Sequence, residues 1–240
     1  MSALAARAAA ALRLDIRLQW RYGFFYAAAF SAVFWEVIVR LIPPGPRPAA
    51  LPYLIFGDLG IVGYFFVAGA VFFERGERTL FAVLTSPLRF GEYLAGKVAT
   101  LTALALALSL LVTFTAVGFD FSPLPMLVGT ILCAVLFLLA GFISATPFRS
   151  ISDWLIPSTA VIALLNVPLL HYSGLWHHPA MYAIPTLGTT QLLGVAFGQL
   201  SLEPWQYAYA VAYQLAWIAG LYLLARKTFD RYVVRGEGGA

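Results

Sequence analysis

Residues 91–98, Gly91-Glu92-Tyr93-Leu94-Ala95-Gly96-Lys97-Val98, come within one position of a phosphate-binding loop. That motif cradles nucleotide phosphates and needs Ser or Thr after its lysine, whose hydroxyl holds magnesium. Val98 has no hydroxyl, and no strand is expected before the loop. Nucleotide chemistry on this chain is therefore not expected, and Lys97 is read as the start of a membrane span, where it can snorkel. Glu74 and Glu77, with Arg78, bring to mind glutamate-based membrane peptidases. Those enzymes pair adjacent glutamates with histidines inside the membrane, whereas His171, His177 and His178 fall near the opposite face. Neighbours such as His177 and His178 diverge on a helix, and no carboxylate follows until Glu203, so no metal site is expected. Gly-x-Ser-Gly and His-Glu-x-x-His are both absent from the chain. No catalytic residue is assigned.

Ionisable groups inside apolar runs are costly and suggest function by default. Glu36 and Arg40 are four apart, hence neighbours on one helix face. With Asp58 they are expected to form a buried polar cluster near the outer mouth, acting as a gate, as a substrate contact or as a structural ion pair. Phe24, Phe25, Phe30, Phe34, Trp35, Tyr64, Phe65 and Phe66 are candidates for an aromatic cavity lining.

The elements that must position these groups follow from composition. The chain has 240 residues, 61% hydrophobic and 11% charged. A soluble domain carries about 25% charged residues, so the bilayer is the expected solvent. One cysteine, Cys133, excludes an intramolecular disulfide and a four-cysteine zinc site. A transmembrane helix needs about 20 apolar residues. Six stretches qualify, roughly 23–42, 51–74, 92–118, 123–147, 151–170 and 203–226. The apolar joint 171–202 is broken by Gly174, Pro179, Pro185 and Gly188. It is expected to form one or two short helices, or a re-entrant element, at the outer surface rather than a seventh span. Asn166 and Pro168 are candidates for a kink or an interhelical hydrogen bond, and Gly194 and Gly198 for a close helix contact.

Arg7, Arg13, Arg17 and Arg21 precede the first span; Arg75, Arg78, Arg89 and Lys97 flank the turn after the second; Arg149 follows the fourth; Arg226, Lys227, Arg231 and Arg235 follow the sixth. Only Arg40 and Arg47 fall on the other side. The positive-inside rule then makes both termini cytoplasmic. The pI near 9.3 is explained by this topology and by anionic lipid, without nucleic acid. Over residues 3–21 the arginines share one helical arc while Leu4, Leu12, Ile16, Leu18, Trp20 and Asp15 occupy the rest, which predicts an interfacial helix. No compact apolar core with a cleavage site follows these arginines, so no signal peptide is expected.

The charged island at 74–90 distinguishes the chain from other six-span proteins. Glu74, Arg75, Glu77 and Arg78 stop the second span, and Thr79 to Leu84 resume an apolar pattern for under two turns. Ser86-Pro87 ends that pattern, because a residue before proline disfavours helix. A helix this short needs a partner to be stable. The island, with Thr79-Leu80, Ser86-Pro87-Leu88, Glu92 and Gly96-Lys97, resembles the coupling region of ABC-2 type transporter permeases, and the six spans and N-terminal helix resemble them along essentially the whole chain. The family often has glycine before the Thr-Leu pair; this chain has Arg78. The compact length resembles bacterial drug and antibiotic exporters, fluoroquinolone exporters among them.

That resemblance implies a single all-α membrane permease domain over 1–240 in the inner membrane. Two permeases pair, as homodimer or heterodimer, and each docks an ATP-binding subunit that carries the ATP and Mg. Glu74, Glu77, Arg78, Thr79, Leu80, Phe81, Leu84, Ser86, Pro87 and Leu88 are the motor-coupling residues it implies. In such permeases the first and fifth spans often face the partner. A proton-coupled secondary transporter is the rival reading; it needs a buried acid in mid-membrane, and Glu36 is the one fair candidate. An intramembrane enzyme is the other rival, and its motifs are missing.

Overall fold

The computed structural model describes residues 3–77, 79 and 88–234, with side chains from Ala9 onward. An N-terminal helix, α1 (Ala3–Arg21), precedes the bundle. Among the described residues, six helices are long and apolar enough to cross a bilayer: α2 (Phe24–Leu41), α3 (Arg47–Gly76), α4 (Phe90–Val117), α5 (Pro123–Ala145), α6 (Ile151–Tyr172) and, last, α8 (Pro204–Val234). A 3-10 turn, Pro179–Ala183, and the short helix α7 (Leu187–Ala196) lie between α6 and α8. Prolines start α5 and α8, where the missing N–H costs no hydrogen bond. Gly118 ends the stretch after α4 with φ +64°, a conformation that suits glycine.

Two helices form the centre. Of the apolar windows of α3 and α5, 72% is buried, against 17% for α8 and 22% for α2. The outer helices instead present large apolar side chains such as Phe30, Leu41, Ile156 and Leu223 to the surroundings. In water such a surface is an aggregation hazard; in lipid it costs nothing. The aromatic candidates therefore divide. Phe24, Tyr64 and Phe66 are core residues, while Phe30 and Phe34 point outward, so the eight do not line one cavity.

Helices in lipid gain no hydrophobic drive to associate, so small residues allow backbones to approach. At the α3–α5 seam a Cβ on Gly63 would lie 2.8 Å from Phe137 Cβ. One on Gly141 would collide with the Tyr64 carbonyl oxygen and come within 2.8 Å of Val67 Cγ1. Here α3 widens into a π-helical turn, Gly60–Phe65. Tyr64, on that turn, is fully buried, stacks on Trp154 of α6 at 5.7 Å and donates to the Ser158 carbonyl at 3.3 Å.

The 171–202 joint divides: 173–180 and 198–201 are exposed, whereas the short helix within it turns inward. Nearly all of α7 is buried against α5, α8 and α3, and its ten residues extend about 15 Å, too short to span. Thr189 donates to the Gln214 amide oxygen on α8 at 2.7 Å, and Thr186 to the Leu165 carbonyl at 2.6 Å. Gly194 packs against Leu200 and Tyr172, but Gly198 has φ +68° beyond the helix end and takes no part in a helix contact. Asn166 bonds within its own helix, to the Ile162 carbonyl at 2.7 Å.

Gly141→Ala should lower stability by about 1–3 kcal/mol, the usual cost of overpacking, because the obstacle is backbone. Gly220→Ala, which meets nothing within 4 Å, should be neutral or slightly stabilising. Thermal unfolding of the two variants in detergent checks both.

Candidate functional site

At the end of α3, Glu74, Arg75 and Glu77 each reach a different element. Glu74 is 1% exposed. Its carboxylate accepts from the Lys97 ammonium and, at 2.6 Å, from the Tyr93 hydroxyl. Tyr93 and Lys97 are one turn apart on α4, so both face α3. Lys97, 2% exposed, also donates to Asp15 Oδ1 at 3.1 Å. Asp15 and Gln19 are likewise one turn apart on α1. Gln19 donates to Asp15 Oδ2 at 2.5 Å and to Thr100 Oγ1 at 2.6 Å, and the Thr100 hydroxyl in turn meets Asp15 Oδ2. One ammonium thus sits between two carboxylates, with three neutral side chains completing the shell. Lys97 does not snorkel. It is eight residues into α4, and two carboxylates at hand offset its desolvation without reaching water.

Arg75 donates through both terminal nitrogens to carbonyls just past α5, those of Phe148 and, at 3.1 Å, Thr146. A helix C-terminus leaves such carbonyls unsatisfied, and a cation there is favourable. Glu77 accepts from Arg21 at 3.0 Å and from the Tyr22 hydroxyl at 3.2 Å, in the turn between α1 and α2. Partial burial holds the Tyr22 phenol above its ordinary pKa. The Arg21–Glu77 pair is exposed and contributes little to stability. Thr79 donates back to the Glu74 carbonyl at 3.1 Å, closing the end of α3. Where the chain returns, the Glu92 carboxylate accepts from the Arg89 backbone N–H at 3.0 Å, and Phe90 packs on Phe229 at 4.9 Å. The described residues on either side of 80–87 are held by charge at the end of α3 and by aromatic packing at the start of α4.

Arg78, Leu80, Phe81, Leu84, Ser86 and Pro87 lie outside the described residues. Of the other candidates, Glu77 is exposed, Leu88 is half-buried, and Glu74 turns inward rather than standing with Glu77 in one outward cluster. Burial wins because Lys97 and Tyr93 wait behind it. Glu36, Arg40 and Asp58 separate too. Glu36 pairs with Arg40 at 2.8 Å in an exposed bridge and accepts from Thr115 at 2.6 Å. Asp58, 3% exposed, accepts instead from Ser31 at 2.6 Å and Trp35 at 2.9 Å, all through Oδ1. Its Oδ2 finds no partner among the described residues. Of these two acids, Asp58 is the buried one and Glu36 is not.

Among the described residues no group of histidines, cysteines or carboxylates is arranged to hold a metal. The residues that sequence reasoning missed are Asp15, Gln19, Tyr93 and Thr100, and the inward role of Lys97. Two signals were present: Asp15 is the one acid on a helix with four arginines, and Lys97 lies a full two turns into an apolar helix.

Residues 6–237 match the model of the fluoroquinolones export permease protein family. Two proteins named fluoroquinolones export permease protein, from two strains of Mycobacterium tuberculosis, are each 45% identical over 229 residues, covering 95% of this chain and 97% of theirs. No solved structure matches the chain.

Lys97→Met leaves two buried carboxylates without their cation, and removing one partner of such a pair costs about 3–5 kcal/mol. The variant should unfold at lower temperature, and limited proteolysis should release α1 faster than from the wild type. In a double-mutant cycle with Glu74→Gln, the coupling energy should exceed about 1 kcal/mol. Additive losses would mean that the two groups do not interact.

Proposed function

The chain belongs to the fluoroquinolones export permease protein family, and on that footing we propose that it is the membrane subunit of a drug exporter driven by ATP hydrolysed on a separate chain. The assembly is of the ABC-2 type. Two permeases, identical or different, each dock an ATP-binding subunit through residues 79–88. ATP and Mg belong to that subunit, and the permease performs no bond chemistry. The basic residues at one end of the bundle favour an inner-membrane placement with both termini in the cytoplasm. The names of its relatives make fluoroquinolones the first substrates to try.

One observation supports this reading: the end of α3, at the entry to segment 79–88, is bonded to α1 through Glu77, to α4 through Glu74 and to the carbonyls just past α5 through Arg75. A push on the segment cannot be absorbed by α3 alone. Glu74 acts from inside, as the anchor of the segment, while Glu77, Arg78 and the apolar residues Leu80, Phe81 and Leu84 meet the motor. Glu36, Arg40 and Asp58 remain the outer gate or substrate contacts, in two separate groups.

Leu80→Asp/Leu84→Asp should abolish co-purification of the ATPase and reduce drug export at least tenfold, with membrane insertion unchanged. Export and ATPase binding that both survive would exclude coupling through this segment. The second reading, proton-coupled transport, gains from Asp58, a buried carboxyl with one oxygen unpartnered among the described residues. Under the ATP-driven reading, wild-type proteoliposomes supplied with the ATPase export drug only when ATP is present, and a pH gradient alone moves no drug. Gradient-driven export by the wild type without any ATPase would favour the second reading instead.

A further inference from the structure

Apolar side chains of α4, α5 and α8 enclose an open groove of about 370 Å³ on the flank of the bundle. Leu94 and Leu139 form two of its walls. The third is a stripe on α8, Leu215, Ile218, Ala219 and Tyr222, at the spacing of one helical face. One turn further along α8, Arg226 opens a second cavity of about 420 Å³ with Leu223, Lys227, Asp230 and Arg231. Three cations there face one carboxylate. Arg226 follows Tyr222 by four residues, so Arg226 continues the groove on nearly the same face, and the other members of the basic cavity lie further round α8.

Depth fits this pairing. From Pro204, where α8 begins, to Arg226 is about 33 Å of helix, close to the roughly 30 Å of hydrocarbon in a bilayer. The groove therefore lies among acyl chains and the cations lie among headgroups. We propose that this site binds an anionic phospholipid, its acyl chain in the groove and its phosphate on Arg226 and Lys227. A zwitterionic headgroup would bring its own cation against an already positive cavity, so the site selects net negative charge.

The site also touches the coupling path. The Tyr222 hydroxyl lies 2.9 Å from where a Cβ on Gly91 would stand, and its ring is 6.2 Å from that of Phe90. A lipid seated there packs beside the residues on which segment 79–88 re-enters the bundle.

The test uses the purified full-length chain in neutral detergent, titrated with phosphatidylglycerol or phosphatidylcholine. Bound lipid is counted by native mass spectrometry, and the unfolding temperature is the second readout. Phosphatidylglycerol should bind about tenfold more tightly, the weight of one or two basic residues at an anionic surface, and should raise the unfolding temperature more. Arg226→Gln/Lys227→Gln should remove that preference and leave phosphatidylcholine binding unchanged; both residues are exposed, so the variant should fold. Ala219→Trp should weaken both lipids by filling the groove. Equal binding of the two lipids to the wild type, or a preference that survives the double substitution, overturns the proposal. So does an Ala219→Trp variant that changes oligomeric state with lipid affinity intact, which would identify a second copy of the chain as the occupant.

Discussion

The Lys97 ammonium holds two carboxylates that come from residues 15 and 74, on helices that are not consecutive. Three ionised groups buried together are expensive to take out of water, and their attraction offsets that cost only if the geometry is complete. Here it is completed by Tyr93, Gln19 and Thr100, each donating to or accepting from a member of the set. Such a cluster tolerates few alternative arrangements. Moving α1 away would leave Lys97 with one carboxylate and expose Asp15, and moving the end of α3 would do the same on the other side. The N-terminal helix is thereby part of the bundle rather than an appendage, and a Cβ placed on Gly96 would stand 3.8 Å from the Ala11 backbone, which agrees with that.

Under the proposed function, force from the coupling segment would reach helices that differ in how deeply they are packed. Helix α3 is among the most buried, and it is pinned to α5 by a seam in which Gly63 and Gly141 leave no room for even a methyl group. Arg75 ties the same end of α3 to the carbonyls just past α5. The peripheral helices α2, α6 and α8 expose most of their apolar surface and have fewer constraints. Under the proposed function, the central pair would move as a body against these outer helices. The π-helical turn at Gly60–Phe65 is a natural place for α3 to yield, since π-turns interrupt the regular ladder.

Most of the architecture was legible in the chain itself. Hydropathy anticipated six long apolar helices, the last of which runs on to Val234, because in lipid every backbone group must be satisfied within its own helix and about 20 apolar residues are needed to cross. Proline and glycine marked most of the boundaries. The island at 74–90 was legible as charge interrupting an apolar pattern. The partners of its charges were not. Glu74 and Glu77 look alike in the sequence, three residues apart and flanked by arginine, yet one is buried and the other exposed.

That division marks what each level decides. Local composition determined the six long apolar helices among the described residues, most of their boundaries, the clustering of basic residues at the connections and the absence of familiar catalytic motifs, since these depend on each residue's own preference for lipid or water. Only the tertiary structure decided that Lys97 lies between Asp15 and Glu74, that Asp58 stands apart from Glu36 and Arg40, and that α7 is buried. The physical reason is that a charge in a low-dielectric interior goes wherever its counter-charges are, and those lie 82 and 23 residues away along the chain. No periodicity within a single helix encodes that distance.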